Sequence, residues 1–436
     1  MLKRGTKRTK TERRRRRRGA LLVALVLVAA ADSATLAGAA VLHARRLERA
    51  TGTNAVIAPD IEAEHRHGAF TATIEYGALY SAEGHQVSSE VTWDDDWFFE
   101  DPTAYNQELA HTCAVLSAVA NAESGYYQQG SASPSYAEHA FAELGFEEVS
   151  TSSYRYRSEV MDELIGLVDG TDVVAYAVAT KHVRSSQTGE ERLLTVVVVR
   201  GSYGSEWLSN ANIGESDSVE DHLGFTLAAE EIVADLNARA DETDPGIERT
   251  YLFCGHSRGG AVSNLLASYA DGASGDMGAI SSAESVRAYT FAAPNCTTDP
   301  DARSACYDNI FNVLNPSDAV TMLLPAEWGY ARHGRDVWLP TMDEDAELTQ
   351  AMGASYEASM GTECPVQDDA LARSEEFVGF VTERVEGVSE LFSVGGALAV
   401  TQACLGFDVG QVLTSHYPNT YIAWLEATSA DDLTFS

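Results

Sequence analysis

The stretch YLFCGHSRGGAV, Tyr251 to Val262, decides the fold. It opens on four apolar residues of strand character, Tyr251-Leu252-Phe253-Cys254. It ends in a run from Arg258 to Tyr269 whose apolar residues Val262, Leu265, Leu266 and Tyr269 fall at helical spacing. Between the two lies Gly255-His256-Ser257-Arg258-Gly259, a GxSxG. A strand that turns directly into a helix needs small residues flanking the tip, because a side chain at either glycine meets the neighbouring strand or helix. Ser257 at such a tip presents its hydroxyl outward. The helix that starts behind it aims backbone N–H groups and the positive end of its dipole at the same point. Ser257 is therefore a candidate nucleophile, against the plainer reading of a Gly-rich strand-to-helix turn.

Working outward, the chain alternates strands and helices. Before the motif, 173–178 and 193–199 are β-branched apolar runs, and Thr195–Val199 is apolar on both faces. Runs of that kind suit strands covered on both sides, as in a mostly parallel sheet flanked by helices. A helix is expected over 219–238, with Phe225, Ala229, Ile232 and Leu236 on one face. After the motif, strands are expected at Val286–Phe291 and Ile310–Leu314. The pattern is α/β with one large sheet. Helices are expected ahead of it, over a stretch with Leu109, Cys113, Leu116 and Ala120, then at 136–144 and 158–168. A further helical stretch at about 348–405 reads as an insertion.

The charge is segregated. Residues 1–18 hold eleven Lys or Arg and one acid, while the remainder carries 19 basic and 64 acidic residues. A body that acidic is repelled by phosphates, which excludes nucleic acid as a partner. The basic head, with six arginines at Arg13–Arg18, runs into the apolar Ala20–Ala31, diluted through Leu42. That is a basic cytoplasmic segment (1–18) followed by a signal peptide or single membrane anchor (19–42), which places the rest outside the cell. Asp32 near the middle weighs against spanning, and the length of the apolar run favours an anchor. Residues 43–88 read as a polar linker or stalk, and 89–436 as the folded domain. Export permits disulfides; Cys296 with Cys306 is the favoured pair and Cys364 with Cys404 a second. Cys254 reads as an inert core thiol.

An acid and then a histidine are needed after the serine. Asp318 follows the strand Ile310–Leu314 at its C-terminal end, where α/β sheets place their sites, although Asn315-Pro316-Ser317-Asp318 also suits a turn. Asp408 competes. Two histidines follow Asp318, namely His333 and His416. His416 precedes the apolar Tyr421–Leu425, and a loop histidine before a terminal helix suits the third position. For the oxyanion, the backbone N–H of Arg258 supplies one donor, and Ser202, in the turn after Val196–Val199, the other.

Several segments, in order, resemble one family. VVVVRGSYGSEWL (196–208) is similar to its strand and oxyanion loop, and HLGF (222–225) to the segment before the next helix. GHSRGG (255–260) is similar to its elbow and YTFAAPN (289–295) to its following strand. NVLNPSDAVTMLLP (312–325) and HYPNTYIAWL (416–425) are similar to the segments carrying its acid and histidine. The sequence thus resembles the class 3 (fungal-type) lipases, α/β hydrolases, and within them the lipase-like proteins of Gram-positive bacteria. The resemblance spans about 190–425 and, weakly, 95–190. It implies an α/β-hydrolase fold and the catalytic set Ser257, Asp318 and His416. It also implies an acyl ester or lipid as substrate, with no metal or cofactor. Arg258 departs from the family's usual Leu, and the long Asp318-to-His416 interval holds the insertion, a candidate lid. A catalytically silent binding protein on the same fold, or an acyltransferase, are the alternatives.

Overall fold

The computed structural model describes residues 66–78, 85–129, 135–152, 174–201, 223–240, 246–270, 285–385, 387, 399, 402–403 and 406–436. The N-terminal segment, the expected helix at 158–168, Ser202, Cys404 and most of 386–405 lie outside these residues.

The elements in chain order begin with β1 (Phe70–Gly77), β2 (Gln86–Trp93), α1 (Gln107–Gln129), α2 (Tyr136–Glu143) and β3 (Glu148–Ser152). Then come β4 (Tyr176–Arg184), β5 (Glu191–Val199), α3 (Leu223–Ala240), β6 (Glu248–His256), α4 (Arg258–Ala270), β7 (Val286–Phe291), β8 (Ile310–Leu314) and β9 (Arg335–Trp338). The chain closes with α5 (Ala346–Met360), α6 (Ala370–Thr382), α7 (Pro418–Ala427) and β10 (Thr434–Phe435). Strands β3 to β10 form one eight-stranded sheet in sequential order. β5 through β9 are mutually parallel, and antiparallel pairs close both edges. This is the mostly parallel, helix-flanked α/β sheet that the strand patterning implied.

Period-2 alternation assigns each strand residue to a face. Val196 and Val198 of β5, with Leu252 and Cys254 of β6, pack with α1 and α7 residues such as Leu109, Leu116 and Trp424. Val197, Val199, Tyr251 and Phe253 point the other way, against Phe225, Ile232, Leu265 and Leu266 of α3 and α4. The continuous apolar run of β5 thus feeds two cores. Each of its buried valines contributes roughly 1.5–3 kcal/mol.

Three features depart from the sequence reading. Part of the expected linker is sheet: β1 and β2 form an antiparallel hairpin in register from Phe70↔Trp93 to Gly77↔Gln86. Its inward residues Ala72, Ile74, Tyr76, Val87 and Val91 join the core on the α1 side. Second, β4 runs on to Arg184, past the apolar run 173–178, because Lys181 is buried against Asp95 at 3.0 Å and donates to the Leu144 carbonyl. Third, Cys296 and Cys306 are both free thiols. Cys296 is buried and donates to Asn264 Oδ1 at 3.3 Å, while Cys306 is exposed beside Ser304. One thiol is buried and the other exposed, and the favoured disulfide does not form. Cys364 is also a free thiol, and its expected partner Cys404 lies outside the described residues.

Within the insertion, α5 buries Met352, Tyr356 and Met360 at intervals of four. Ser355 and His111 both bond Glu426 of α7. The second helix, α6, is fixed by a Ser374 Oγ–H bond to the Ser317 carbonyl at 2.7 Å. Phe377 joins a small cluster there with Ala319, Ala403 and Val412. Trp97, Phe98 and Phe99 pack as core: Phe98 is buried and the other two lean against it. Asp94 to Asp96 are spent on contacts within the fold: Asp94 caps its own turn, Asp95 pairs with Lys181, and Asp96 accepts from the Ser186 N–H at 2.8 Å.

Candidate active site

Strand β6, paired with β5 on one side and β7 on the other, delivers Ser257 at its C-terminal end. Ser257 has φ of 60°, a left-handed value that side-chain-bearing residues rarely adopt, so the tip is strained. Its N–H donates to the Phe291 carbonyl at 2.8 Å, tying the turn to the end of β7. The flanking glycines are required by contact. A Cβ at Gly255 would lie 2.4 Å from the Gly259 carbonyl oxygen, and one at Gly259 would lie 2.2 Å from that of Val199. Arg258 is the first residue of α4, at the end where N–H groups lack intrahelical acceptors.

Two later segments converge on the serine. After β8, Asp318 caps the 3-10 turn Ala319–Met322, its Oδ1 accepting from the Val320 N–H at 2.9 Å. The turn reading and the acid reading of Asp318 are therefore both realised, one on each carboxylate oxygen. Oδ2 faces His416 Nδ1 at 2.8 Å and accepts from the Tyr421 hydroxyl at 2.8 Å. His416 ends the 3-10 turn Thr414–His416, directly before α7, and its Nε2 lies 2.9 Å from Ser257 Oγ. A carboxylate oxygen can only accept, so Nδ1 carries the imidazole proton. Nε2 then holds the lone pair and accepts from the serine hydroxyl. All three side chains are buried.

The competitors are elsewhere. Asp408 caps the short helical turn Val409–Val412, accepting from the Gln411 N–H. His333 is buried in the loop before β9, with its Nδ1 at 3.1 Å from Asn264 Oδ1. Ser202, expected to help hold an oxyanion, lies outside the described residues. Its neighbour Gly201 is described, and its N–H donates to Asn121 Oδ1 at 2.7 Å.

Two participants escaped the sequence reading. Tyr421 was visible only as an apolar helix residue, although a buried tyrosine hydroxyl always needs a partner. Burial, then the nearby Asp318, pushes its pKa well above the ordinary value, so it stays a donor. His256 was visible only as the variable position of GxSxG. Its ring is 4.8 Å from that of His416, and burial, then His416, hold its pKa well below the ordinary value. Among the described residues, no group of three or more His, Cys, Asp or Glu is arranged to hold a metal.

Residues 182–328 match the model of a family described as Lipase (class 3). Among solved structures the chain is similar to a triacylglycerol lipase whose catalytic centre is described as a serine protease triad. That pair shares 19% identity at a TM-score of 0.36, over 54% of this chain and 82% of that one. It is also similar to a Rhizomucor miehei triacylglyceride lipase, at 23% identity and a TM-score of 0.30, over 38% of this chain and 62% of that one. A third is the Rhizomucor miehei lipase in a propeptide complex, at 18% identity and a TM-score of 0.37, over 67% and 80%. No curated protein matches the chain.

Proposed function

We propose that this chain, whose residues 182–328 carry the class 3 lipase pattern, is a serine ester hydrolase that works through an acyl-enzyme. The observation that carries the reading is the aligned pair of contacts Ser257 Oγ to His416 Nε2 and His416 Nδ1 to Asp318 Oδ2, at 2.9 and 2.8 Å. In this reading His416 takes the proton as Ser257 Oγ attacks the ester carbonyl. Asp318 holds the ring in the Nδ1–H tautomer and stabilises the imidazolium. The developing oxyanion is met by the Arg258 N–H and by Ser202. His416 then returns the proton to the departing alcohol. Water, activated by the same nitrogen, releases the acid and restores Ser257.

The substrate is an acyl ester, from soluble esters to acylglycerols. The acidic body disfavours anionic bilayers, which ranks phospholipid surfaces below neutral ones. The basic and apolar N-terminal segment supports export, with 43–436 outside the cell. Cell fractionation and external protease treatment test that: a chain found only in the cytosol sinks it.

The chemistry is tested on the full chain with p-nitrophenyl esters of graded chain length and a fluorophosphonate probe. The expected result is turnover and labelling, both lost in Ser257→Ala. A folded wild type that neither labels nor turns over would leave a silent binding protein as the better reading. Ester products formed on adding an alcohol, in place of free acid, would move the assignment to acyl transfer.

A further inference from the structure

Behind the Ser257 turn lie two polar side chains that no step of hydrolysis uses. Asn121 is on α1 and 4% exposed. Its Oδ1 accepts from the Gly201 N–H at 2.7 Å, and its Nδ2 faces His256 Nδ1 at 3.4 Å. His256 Nε2 lies 2.8 Å from the carbonyl oxygen of His416. A carbonyl can only accept, so Nε2 carries the proton of His256 and Nδ1 presents a lone pair. That lone pair needs a donor, which sets the Asn121 amide with its nitrogen toward His256 and its oxygen toward Gly201. Gly201 is pressed onto the turn: a Cβ there would lie 2.6 Å from the His256 carbonyl oxygen and 3.3 Å from Ser257 Cβ. One line of hydrogen bonds thus runs from the end of β5, through α1 and the serine turn, to the backbone of His416.

We propose that Asn121 and His256 form a positioning pair for the hydrolytic site, fixing Gly201 and the His416 backbone around Ser257 without touching the ester. The inference rests on the hydrolase reading above. Each end of the line is a place where small errors matter. Gly201 leads into the candidate oxyanion donor, and the His416 backbone sets where Nε2 sits. A displacement of about 1 Å at such a point costs about a hundredfold in rate. The titratable groups facing the His256 ring are His416 and Tyr421, at centroid distances of 4.8 and 5.8 Å. Asp318 lies beyond them, bonded to both. Asn121 itself does not titrate.

The test uses the full chain and a p-nitrophenyl ester, with kcat and KM measured from pH 6 to 8.5 and folding checked by thermal melting. Asn121→Asp keeps the acceptor for Gly201 but opposes a carboxylate to the Nδ1 lone pair. It is expected to lower kcat roughly tenfold to a hundredfold at pH 8 with little change in KM. The loss should shrink toward pH 6, because protonated His256 donates to the new carboxylate. Loss of the amide's hydrogen bonds with no new charge, as in Asn121→Leu, gives a ratio to wild type that does not change with pH. A folded Asn121→Asp with wild-type kcat, or with a pH-independent ratio, overturns the pair. Should Asn121→Asp fail to fold, His256→Gln and His256→Leu decide. The glutamine retains a donor for the His416 carbonyl and an acceptor for Asn121, so it should keep most of the kcat that the leucine loses. Equal losses overturn the proposal. A wild type that neither turns over nor labels with fluorophosphonate is a different failure, that of the hydrolase reading, and the pair falls with it.

Discussion

Two buried histidines follow Asp318 in the chain, and each lies beside an aspartate. His416 has Asp318 at 2.8 Å; His333 has Asp299 at 3.6 Å. The carboxylate does not distinguish them; what the rest of each ring meets does. His333 spends Nδ1, and its own backbone N–H, on Asn264 Oδ1 at 3.1 and 3.0 Å, and stands edge-on to Tyr307. Asn264 in turn bonds Asn312, so His333 belongs to a closed network that holds β8 and the loop before β9 to α4. His416 leaves Nε2 for the hydroxyl of a residue held at strained φ. A buried His–Asp pair is thus an ordinary structural device. It becomes a candidate catalytic one when its second nitrogen meets a hydroxyl that the backbone presses outward.

The sharpest way to break this comparison is to disable both sides. Ser257→Ala or His416→Ala should lower kcat on the order of 10⁶-fold, and the double variant should be no worse than either single one. His333→Gln should leave kcat near wild type and instead lower stability by about 1–3 kcal/mol, read from urea unfolding. If His333→Gln proves as inactive as His416→Ala while still folded, the division between the two histidines is wrong.

The next effect separates the two carboxylates. Asp318→Asn removes the acceptor that selects the Nδ1–H tautomer and should lower kcat by about 10⁴-fold with KM little changed. Asp299→Asn should leave kcat untouched. Smaller again is Tyr421→Phe, which deletes one donor to Asp318 Oδ2 and the acceptor for the Asn315 N–H. A hydrogen bond to a charged group is worth about 1.5–3 kcal/mol, and partial loss of it corresponds to roughly a tenfold fall in kcat. Steady-state kinetics on these variants, ranked against one another, would expose an order other than this one.

How legible these sites were follows from how local their determinants are. Ser257 was readable because its strand, glycines and helix all fall within Tyr251–Val262, and steric contact alone demands that pattern. Asp318 and His416 were readable only as positions in an order, supported by resemblance, since 98 residues separate them. Asn121 left no trace in the sequence. It reaches the site from α1, 80 residues from Gly201 and 135 from His256, and nothing near it distinguishes it from any buried helix asparagine. The hairpin was missed for the opposite reason. Ala72, Ile74 and Tyr76 do alternate, but the residues between them are Thr and Glu, and the stretch adjoins a polar segment. The long reach of β4 was hidden by Lys181, whose partner Asp95 lies far off in the chain.

Glu123, two residues along α1 from Asn121, bears on stability and leaves kcat alone, and it gives a contrast with Asp318. Asp318 receives the Val320 N–H, His416 and Tyr421, whereas Glu123 is buried at the start of α2, accepting from the Ala137 N–H at 2.9 Å. Burial pushes its pKa up to about 7, against hydrogen bonds from Ala137, Ser135 and Tyr136 and with a further push from Glu138. The unfolded group titrates near 4.5. Between those values the folded state holds a proton that the unfolded state has released, so this group's contribution to stability falls as pH rises from about 4.5 to about 7 and is flat above. Glu123→Gln keeps an acceptor for Ala137 and cannot ionise. Its stability should match wild type near pH 4.5 and exceed it by at most ~3 kcal/mol above pH 7. Urea midpoints at several pH values would show the two curves separating. Parallel curves would mean that burial does not raise the pKa of Glu123.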